Sequence, residues 1–168
     1  MEIRDVLADG FERVRGVVAA VAEGLSRDEL AHRPGPQANS IAWLLWHLTR
    51  VQDGHVAEIA GREQAWVEEW AARFGMSPDP HDTGYGYTSE QVAAIRPDGP
   101  GILVAHHEAV HARTLGYLES ADDADWERII DRRWDPPVTV AVRLVSVLED
   151  DLQHAGQAAY VRGLIRDR

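Results

Sequence analysis

Three side chains of this sequence have the chemistry and the spacing of a metal site. Asp150 and His154 lie four residues apart, so in a helix both side chains would leave the same face, one turn apart. His47 lies within a nearly continuous apolar run over residues 41–48. Two imidazoles and one carboxylate suit zinc, with nickel, iron or manganese as alternatives, and leave a coordination position open for water or a substrate. The spacing also fits a simpler interpretation, in which His47 is a hydrogen-bonded residue of the core.

A second histidine pair lies in the segment His107-Glu108-Ala-Val-His111, which matches the His-Glu-x-x-His motif of zinc metalloproteases. In a chain rich in histidine and glutamate such a match also arises by chance, and a protease site needs a third ligand from elsewhere. On a helix, His107 and His111 share a side with Val110 and Leu118. We therefore interpret them first as core or surface histidines, then as residues that line a pocket, and last as protease ligands.

Four further polar residues lie close to the predicted ligands in sequence. Asp151 and Gln157 flank the aspartate and histidine ligands and could orient them, although an exposed position fits Asp151 equally well. Arg143, two turns before the aspartate, could bind a substrate carboxylate, and Arg50, one turn after the first histidine, has the same potential. For both arginines the alternative is a salt bridge with an acidic neighbour. The sequence assigns no catalytic residue beyond these candidates.

Length and composition narrow the class of protein. A chain of 168 residues, 45% of them hydrophobic, predicts a single domain over 1–168 with a substantial core. The net charge of -11 disfavours nucleic-acid binding. The sequence has no apolar run of membrane-spanning length and a charged beginning unlike a signal peptide, so we expect a cytoplasmic protein without a membrane segment.

The use of cysteine and lysine is also informative. The chain contains no cysteine, which excludes disulfides, thiolate ligands and a cysteine nucleophile, so any thiol chemistry would need a small-molecule thiol. All 17 basic residues are arginine, which indicates a GC-rich bacterial genome because arginine codons are rich in G and C.

Four long amphipathic or buried helices would have to position these residues. Apolar residues at spacings of three and four, together with capping signals, predict short helices over about 64–73 and from 88 to before 97. Proline and glycine residues predict a loop over 77–86, and prolines predict an extended loop over 134–137. The polar segment 120–133 allows a further helical turn. The long helices are predicted over residues 2–24, 41–60, 100–118 and 140–165. An all-α four-helix bundle follows, with short extra helices in the connection between the second and third long helices.

Beyond spacing, the residues themselves resemble a known superfamily. Residues 39–53, with His47 in their centre, and residues 134–140 and 150–163, with the run His154-Ala-Gly-Gln157, are similar to the DinB-like (YfiT-type) superfamily. The resemblance spans nearly the whole chain. It implies a four-helix bundle that holds a metal ion through one residue of the second long helix and two of the fourth, and His47, Asp150 and His154 occupy those positions. Many members have histidine where this chain has Asp150, whereas members similar to mycothiol-dependent maleylpyruvate isomerase have a carboxylate.

The resemblance also implies an activity. Several members are transferases or isomerases that use a low-molecular-weight thiol, so it implies mycothiol, or a similar thiol such as bacillithiol, acting on an electrophilic small molecule. We expect metal-assisted activation of that thiol. The alternatives are a bundle that binds metal or senses a ligand without turnover and, more remotely, a metal-dependent hydrolase. The superfamily further suggests a homodimer.

Overall fold

The protein is built from long helices that begin and end close to the predicted positions. A computed structural model describes residues 2–166. The elements follow in the order α1 (Ile3–Ala22), α2 (Arg27–Leu30), α3 (Ile41–Ala60), a π-helical turn (Trp66–Trp70), α4 (Ala71–Phe74), α5 (Ser89–Ala94), α6 (Pro100–Ser120), α7 (Asp123–Glu127), β1 (Ile129–Asp131), β2 (Val138–Thr139) and α8 (Val140–Arg166). The all-α prediction is therefore confirmed.

The ends of α3 and α8 follow from local sequence signals. The Ser40 hydroxyl accepts a hydrogen bond from the Trp43 backbone N–H at 3.1 Å and so caps α3. At its other end Gly61 has a φ of 63°, the left-handed conformation that glycine adopts without strain. The Thr139 hydroxyl accepts from the Val142 N–H at 3.4 Å at the start of α8. Both helices that carry predicted metal ligands are thus fixed at their N-termini by residues visible in the sequence.

The long helices pack as a bundle in which α1 and α3 occupy opposite corners. Helix α1 packs against α6 and α8, and α3 packs against the same two helices. Every residue from Ser40 to Arg50 is buried, as the apolar character of this stretch predicts. The neighbouring positions of α3 and α8 bring together residues about 100 positions apart in the chain.

The connection between α3 and α6 contains the predicted short helices. The segment predicted as helical over 64–73 forms the π-helical turn and α4, and the loop predicted over 77–86 is non-helical. Thr88 and Gln91 form the predicted capping box at α5, because the Gln91 side chain accepts from the Thr88 N–H at 2.8 Å. This connection matters for the site, since its loop lies against α3.

A short antiparallel pairing of β1 with β2 was not predicted. Ile129 pairs with Thr139 and Asp131 with Val138, and the hairpin leads directly into α8. Strands of three and two residues are too short to show the alternation by which a strand is recognised in sequence. They form because the preceding and following helices bring the two segments side by side.

None of the helices within residues 2–166 is long and apolar enough to cross a membrane. The interpretation of residues 1–168 as a single domain remains a prediction, and residues 1, 167 and 168 lie outside the described range.

Candidate metal centre

The three predicted metal ligands lie together in the groove between α3 and α8. His47 Nε2 is 4.0 Å from one carboxylate oxygen of Asp150, and His154 Nε2 is 3.6 Å from the other. One ligand atom from each residue lies within 4.8 Å of the other two. Within residues 2–166 this is the one group of three or more histidine and acidic side chains with such spacing.

The cluster is closed on the bundle side and open towards the groove. The side chain of His47 is 5% exposed, that of His154 is 18% exposed and that of Asp150 is 33% exposed. A small molecule could therefore approach the cluster from the groove, while the rest of the bundle surrounds His47. This asymmetry is what a three-ligand site with one open position requires.

Hydrogen bonds to the other ring nitrogens orient both histidines. His47 Nδ1 contacts the backbone carbonyl of Thr83, and His154 Nδ1 lies 3.0 Å from the Gln157 side-chain oxygen. Both partners only accept hydrogen bonds, so each Nδ1 carries the proton and donates it. In that tautomer each Nε2 is the nitrogen that can bind a metal ion, which is the arrangement seen in metal-ligating histidines.

The donor atoms fit a first-row divalent ion. Asp150 Oδ2 is buried and has no hydrogen-bond partner among the described residues, which is costly for a carboxylate oxygen unless a cation binds it. Around a tetrahedral ion with bonds of about 2.1 Å, neighbouring ligand atoms stand about 3.4 Å apart. The observed separations of 3.6 and 4.0 Å run to different oxygens of Asp150, and one ligand atom from each residue lies within 4.8 Å of the other two. The three residues could therefore hold an ion once their ligand atoms move closer together.

The pKa shifts differ among the three ligand side chains. Burial lowers the pKa of His47, so its ring is neutral near pH 7. Burial raises the pKa of Asp150, but the contact with His154 and the charges of both ligand histidines outweigh that effect and lower it, so Asp150 is an anion. For His154 burial lowers the pKa, whereas Asp150 and Gln157 raise it by more. His47 and Asp150 are thus in the forms that bind metals, whereas metal binding at His154 competes with protonation of its ring.

Arg50 holds the loop that supplies the Thr83 carbonyl. Its guanidinium is fully buried and donates to the Asp82 carbonyl at 3.2 Å, to the Gln64 side chain at 2.9 Å and to Asp53 at 3.3 Å. Burial lowers the pKa of Arg50 to about 10, and Asp53 opposes that shift, so the group stays charged at neutral pH. Arg50 therefore acts as an anchor of the loop, which is the structural alternative considered from the sequence, and does not face the groove as a ligand clamp.

Arg143 is likewise engaged with acidic neighbours. Its guanidinium lies 3.6 Å from Asp131 and 3.7 Å from Glu58, and it donates to His55 Nδ1 at 3.0 Å. These contacts correspond to the salt-bridge alternative. Burial and, to a smaller extent, the positive charge of Arg143 lower the pKa of His55. His55 therefore accepts this hydrogen bond as a neutral ring.

The two histidines of the protease-like motif lie away from the cluster. His107 is 1% exposed and shares a hydrogen bond with the Thr49 hydroxyl at 3.2 Å, on a different face of α3 from His47. His111 Nε2 lies 3.1 Å from Glu12 of α1, and Glu108 pairs with Arg15. The motif therefore joins α6 to its neighbours. This supports the interpretation of both residues as core histidines.

Asp151 occupies an unexpected position. The side chain is fully buried, and neither carboxylate oxygen has a hydrogen-bond partner among the described residues. Burial, followed by the charge of Asp150, raises its pKa well above the ordinary value. Of the two positions that the sequence allowed for Asp151, the exposed one is excluded, because Asp151 lies on the same stripe of α8 as Leu144, Val147 and Ala155, which faces the interior of the bundle.

Two contacts of the site were not predicted from the sequence. The Trp43 ring stacks on the His47 ring, with centroids 4.4 Å apart and an angle of 11° between their planes. Their spacing of four residues is a signal that could have revealed this contact. The Thr83 carbonyl is a backbone group, and its role carries no signal in the side-chain sequence. Gly84 follows with a φ of 85°, and an added Cβ would lie 2.6 Å from the Trp46 ring, so the loop passes close against α3.

Together, a helical bundle and a two-histidine, one-carboxylate cluster define the class of protein, a DinB-like bundle with a candidate metal site. A sequence model of the mycothiol S-transferase family matches residues 6–167. The chain belongs to the mycothiol S-transferase family, which confirms the resemblance found in the sequence.

Comparison with solved structures gives the same fold. The chain is similar to a crystal structure described as a conserved protein from Enterococcus faecalis, with a TM-score of 0.91 and 26% sequence identity. The match covers 100% of this chain and 99% of that chain. No match was found among curated proteins.

Proposed function

We propose that this protein transfers a low-molecular-weight thiol of the mycothiol type to an electrophilic small molecule, with a divalent metal ion held by His47, Asp150 and His154. The observation that carries this proposal is the convergence of two Nε2 atoms and an unpartnered, buried carboxylate oxygen at an open groove. Membership of the mycothiol S-transferase family supports the choice of reaction. Isomerisation of a thiol adduct is the related reaction that the same site would allow.

When bound, a divalent ion would supply Lewis acidity that lowers the pKa of a substrate thiol at the site. Zinc suits the donor set best, with nickel, iron or manganese as alternatives. The chain contains no cysteine, so the reacting sulfur has to come from a small molecule. This agrees with a protein whose task is to bind and activate a separate thiol.

The chain's own residues would prepare the site in three ways. Gln157 and the Thr83 carbonyl fix the tautomer and direction of the two imidazoles, so little reorganisation is needed when an ion binds. Trp43 covers one face of His47 and excludes water from that side. The exposed side of Asp150 faces the groove and leaves room for substrates to approach.

Elemental analysis of purified protein tests the ligand set. We expect about one equivalent of metal in the wild type, and loss of that metal in His47→Ala and in His154→Ala. His107→Ala is the matched control, because His107 is a buried histidine that lies outside the cluster, and it should retain the metal. Loss of metal in His107→Ala with retention in the other two variants would instead support the His-Glu-x-x-His motif.

Assays of the metal-loaded protein test the reaction. We expect consumption of an electrophile that depends on both metal and added mycothiol and that is lost in His154→Ala. Consumption without any thiol would point to a metal-dependent hydrolase. A protein that binds metal, is much less stable without it and shows no turnover with a panel of thiols and electrophiles would be a non-catalytic metal-binding or ligand-sensing bundle.

A further inference from the structure

The backbone carbonyl that orients His47 belongs to a short turn. This turn runs from Asp82 to Tyr87, with Thr83 as its second residue, and we term it the orienting turn. The Tyr87 hydroxyl lies 2.7 Å from both carboxylate oxygens of Asp82 and donates its proton to that carboxylate. The same carboxylate accepts from the Gly84 N–H at 3.2 Å, and the Gly84 carbonyl accepts from the Tyr87 N–H at 3.2 Å. Residues on both sides of Thr83 are therefore tied to one another.

Arg50 anchors the chain on one side of Thr83. Its guanidinium donates to three backbone carbonyls of the segment 79–82, at 3.2, 3.3 and 3.5 Å, and all three precede Thr83 in the chain. After Thr83, the path of the chain is fixed by the hydrogen bonds of the orienting turn and by packing. A loss of the Tyr87 hydroxyl would therefore loosen the Thr83 carbonyl from one side, while the loop stays attached to α3 on the other.

The orienting turn packs on the two tryptophans that lie before His47. The Tyr87 ring stacks on Trp46, with centroids 5.9 Å apart and 27° between their planes. A Cβ added at Gly84 would lie 2.6 Å from the Trp46 ring and 2.9 Å from Trp43 Nε1, so the backbone runs directly over both rings. Trp43 in turn stacks on His47. The turn and the His47 ring thus share one packed surface, and a small shift of the turn changes what His47 Nδ1 meets.

The Thr83 carbonyl decides which nitrogen of the neutral His47 ring carries the proton. It accepts from Nδ1, and the proton on Nδ1 leaves Nε2 as the nitrogen that can bind a metal ion. A displaced carbonyl would allow the other tautomer, in which Nε2 carries the proton and cannot bind metal. Control of the position of Thr83 is therefore control of the ligand nitrogen.

We propose that Asp82 and Tyr87 are positioning residues of the metal site, because their hydrogen bond keeps the orienting turn closed and so holds the Thr83 carbonyl against His47 Nδ1. This inference rests on the proposed function for the ligand role of His47. Burial, followed by the hydrogen bond with Asp82, raises the pKa of Tyr87, so the hydroxyl keeps the proton that it donates.

Zinc affinity, measured by competition with a chelator, tests the proposal at the metal site. Tyr87→Phe removes the hydroxyl and keeps the ring on Trp46, and it should weaken zinc binding by about tenfold, as for the loss of a partner that orients a ligating histidine. Tyr85→Phe is the matched control, because the Tyr85 ring is 91% exposed in the same turn, and it should leave the affinity unchanged. Asp82→Ala should match Tyr87→Phe, whereas Asp82→Asn keeps an oxygen that accepts from the hydroxyl and should restore most of the affinity.

The tautomer of His47 is the readout that a merely structural role of Tyr87 would not change. NMR of the imidazole nitrogens in the metal-free full-length protein at about pH 8 reports it, with circular dichroism as the check of folding and His47→Gln to assign the signals. We expect the proton on Nδ1 in the wild type and in Tyr85→Phe, and a mixture of both tautomers in Tyr87→Phe.

Four results would overturn the proposal: a wild-type proton on Nε2, an unchanged tautomer in Tyr87→Phe, equal losses of zinc affinity in Tyr87→Phe and Tyr85→Phe, or no recovery in Asp82→Asn. The two readouts also separate this inference from the proposed function. A wild type that binds no zinc, together with a shifted tautomer in Tyr87→Phe, would refute the metal-dependent function and leave the control of His47 by the turn standing. Zinc binding in the wild type with an unchanged tautomer in Tyr87→Phe would refute this inference alone.

Discussion

His107 should contribute to the stability that the protein loses in mild acid. Its ring is 1% exposed, and burial lowers its pKa from 6.5 to about 3, with further lowering by the charges of His111 and Arg15. Because the folded-state pKa lies below the unfolded one, the unfolded chain binds the proton more readily. The stabilisation is complete above about pH 6.5 and is lost as the pH falls from there towards 3.

The size of the effect follows from the two pKa values. At about pH 5 an unfolded histidine is about 30-fold more protonated than neutral, while the folded His107 is still almost entirely neutral. The difference corresponds to about 2 kcal/mol between about pH 7.5 and about pH 5. In His107→Leu this contribution is absent. Between about pH 7.5 and about pH 5, the free energy of unfolding of the variant should therefore fall by about 2 kcal/mol less than that of the wild type.

Urea unfolding of both proteins at the two pH values provides the measurement. Histidines far from His107 cancel in the difference, whereas His106 and His111 interact with its charge, so the difference reports His107 together with that coupling. Thr114→Val is the matched control on the same face of α6. It removes the partner of the Gln52 amide, 2.7 Å away, and should cost about 1–3 kcal/mol at both pH values alike. An identical pH dependence in wild type and His107→Leu would refute the assignment of His107 as a buried neutral ring.

Three further predictions concern the surroundings of the cluster. Gln157→Leu should lower metal affinity by about tenfold to a hundredfold, because the His154 ring loses the hydrogen bond that orients it. Gln153→Leu, one turn earlier on the same helix, is the control and should leave metal affinity unchanged. Competition with a chelator measures the affinity of both variants. Arg50→Met should reduce the free energy of unfolding by about 3–5 kcal/mol, because it leaves Asp53 buried without its cation. If chemical denaturation shows that the free energy of unfolding falls by less than about 1 kcal/mol, Arg50 is not an anchor of the loop. Gly84→Ala should lower the thermal midpoint through its φ of 85° and the contact with Trp46, whereas Gly16→Ala, a helical glycine with free space, should be neutral or stabilising.

Much of the fold could be predicted because its signals are local. A helix depends on contacts between residues three and four apart and on caps at its ends, so the apolar stripe of α1, the Ser40 cap and the Gly61 stop all appear in the sequence. The same local geometry shows that Asp150 and His154 leave one face of α8. The pairing of these two residues with His47, in contrast, was one of two interpretations that the residues allowed, and the family resemblance favoured it, since no local rule relates residues about 100 positions apart.

What the tertiary structure decided is which groups face one another across elements. The rotation of α8 within the bundle buries Asp151, and the packing of the connecting loop on α3 brings the Thr83 carbonyl to His47. The register of α3 against α8 places Arg143 beside acidic neighbours and away from the cluster. Sequence periodicity determines which face of a helix is apolar, but the rotation, register and loop path that select each polar partner depend on close packing of the whole chain.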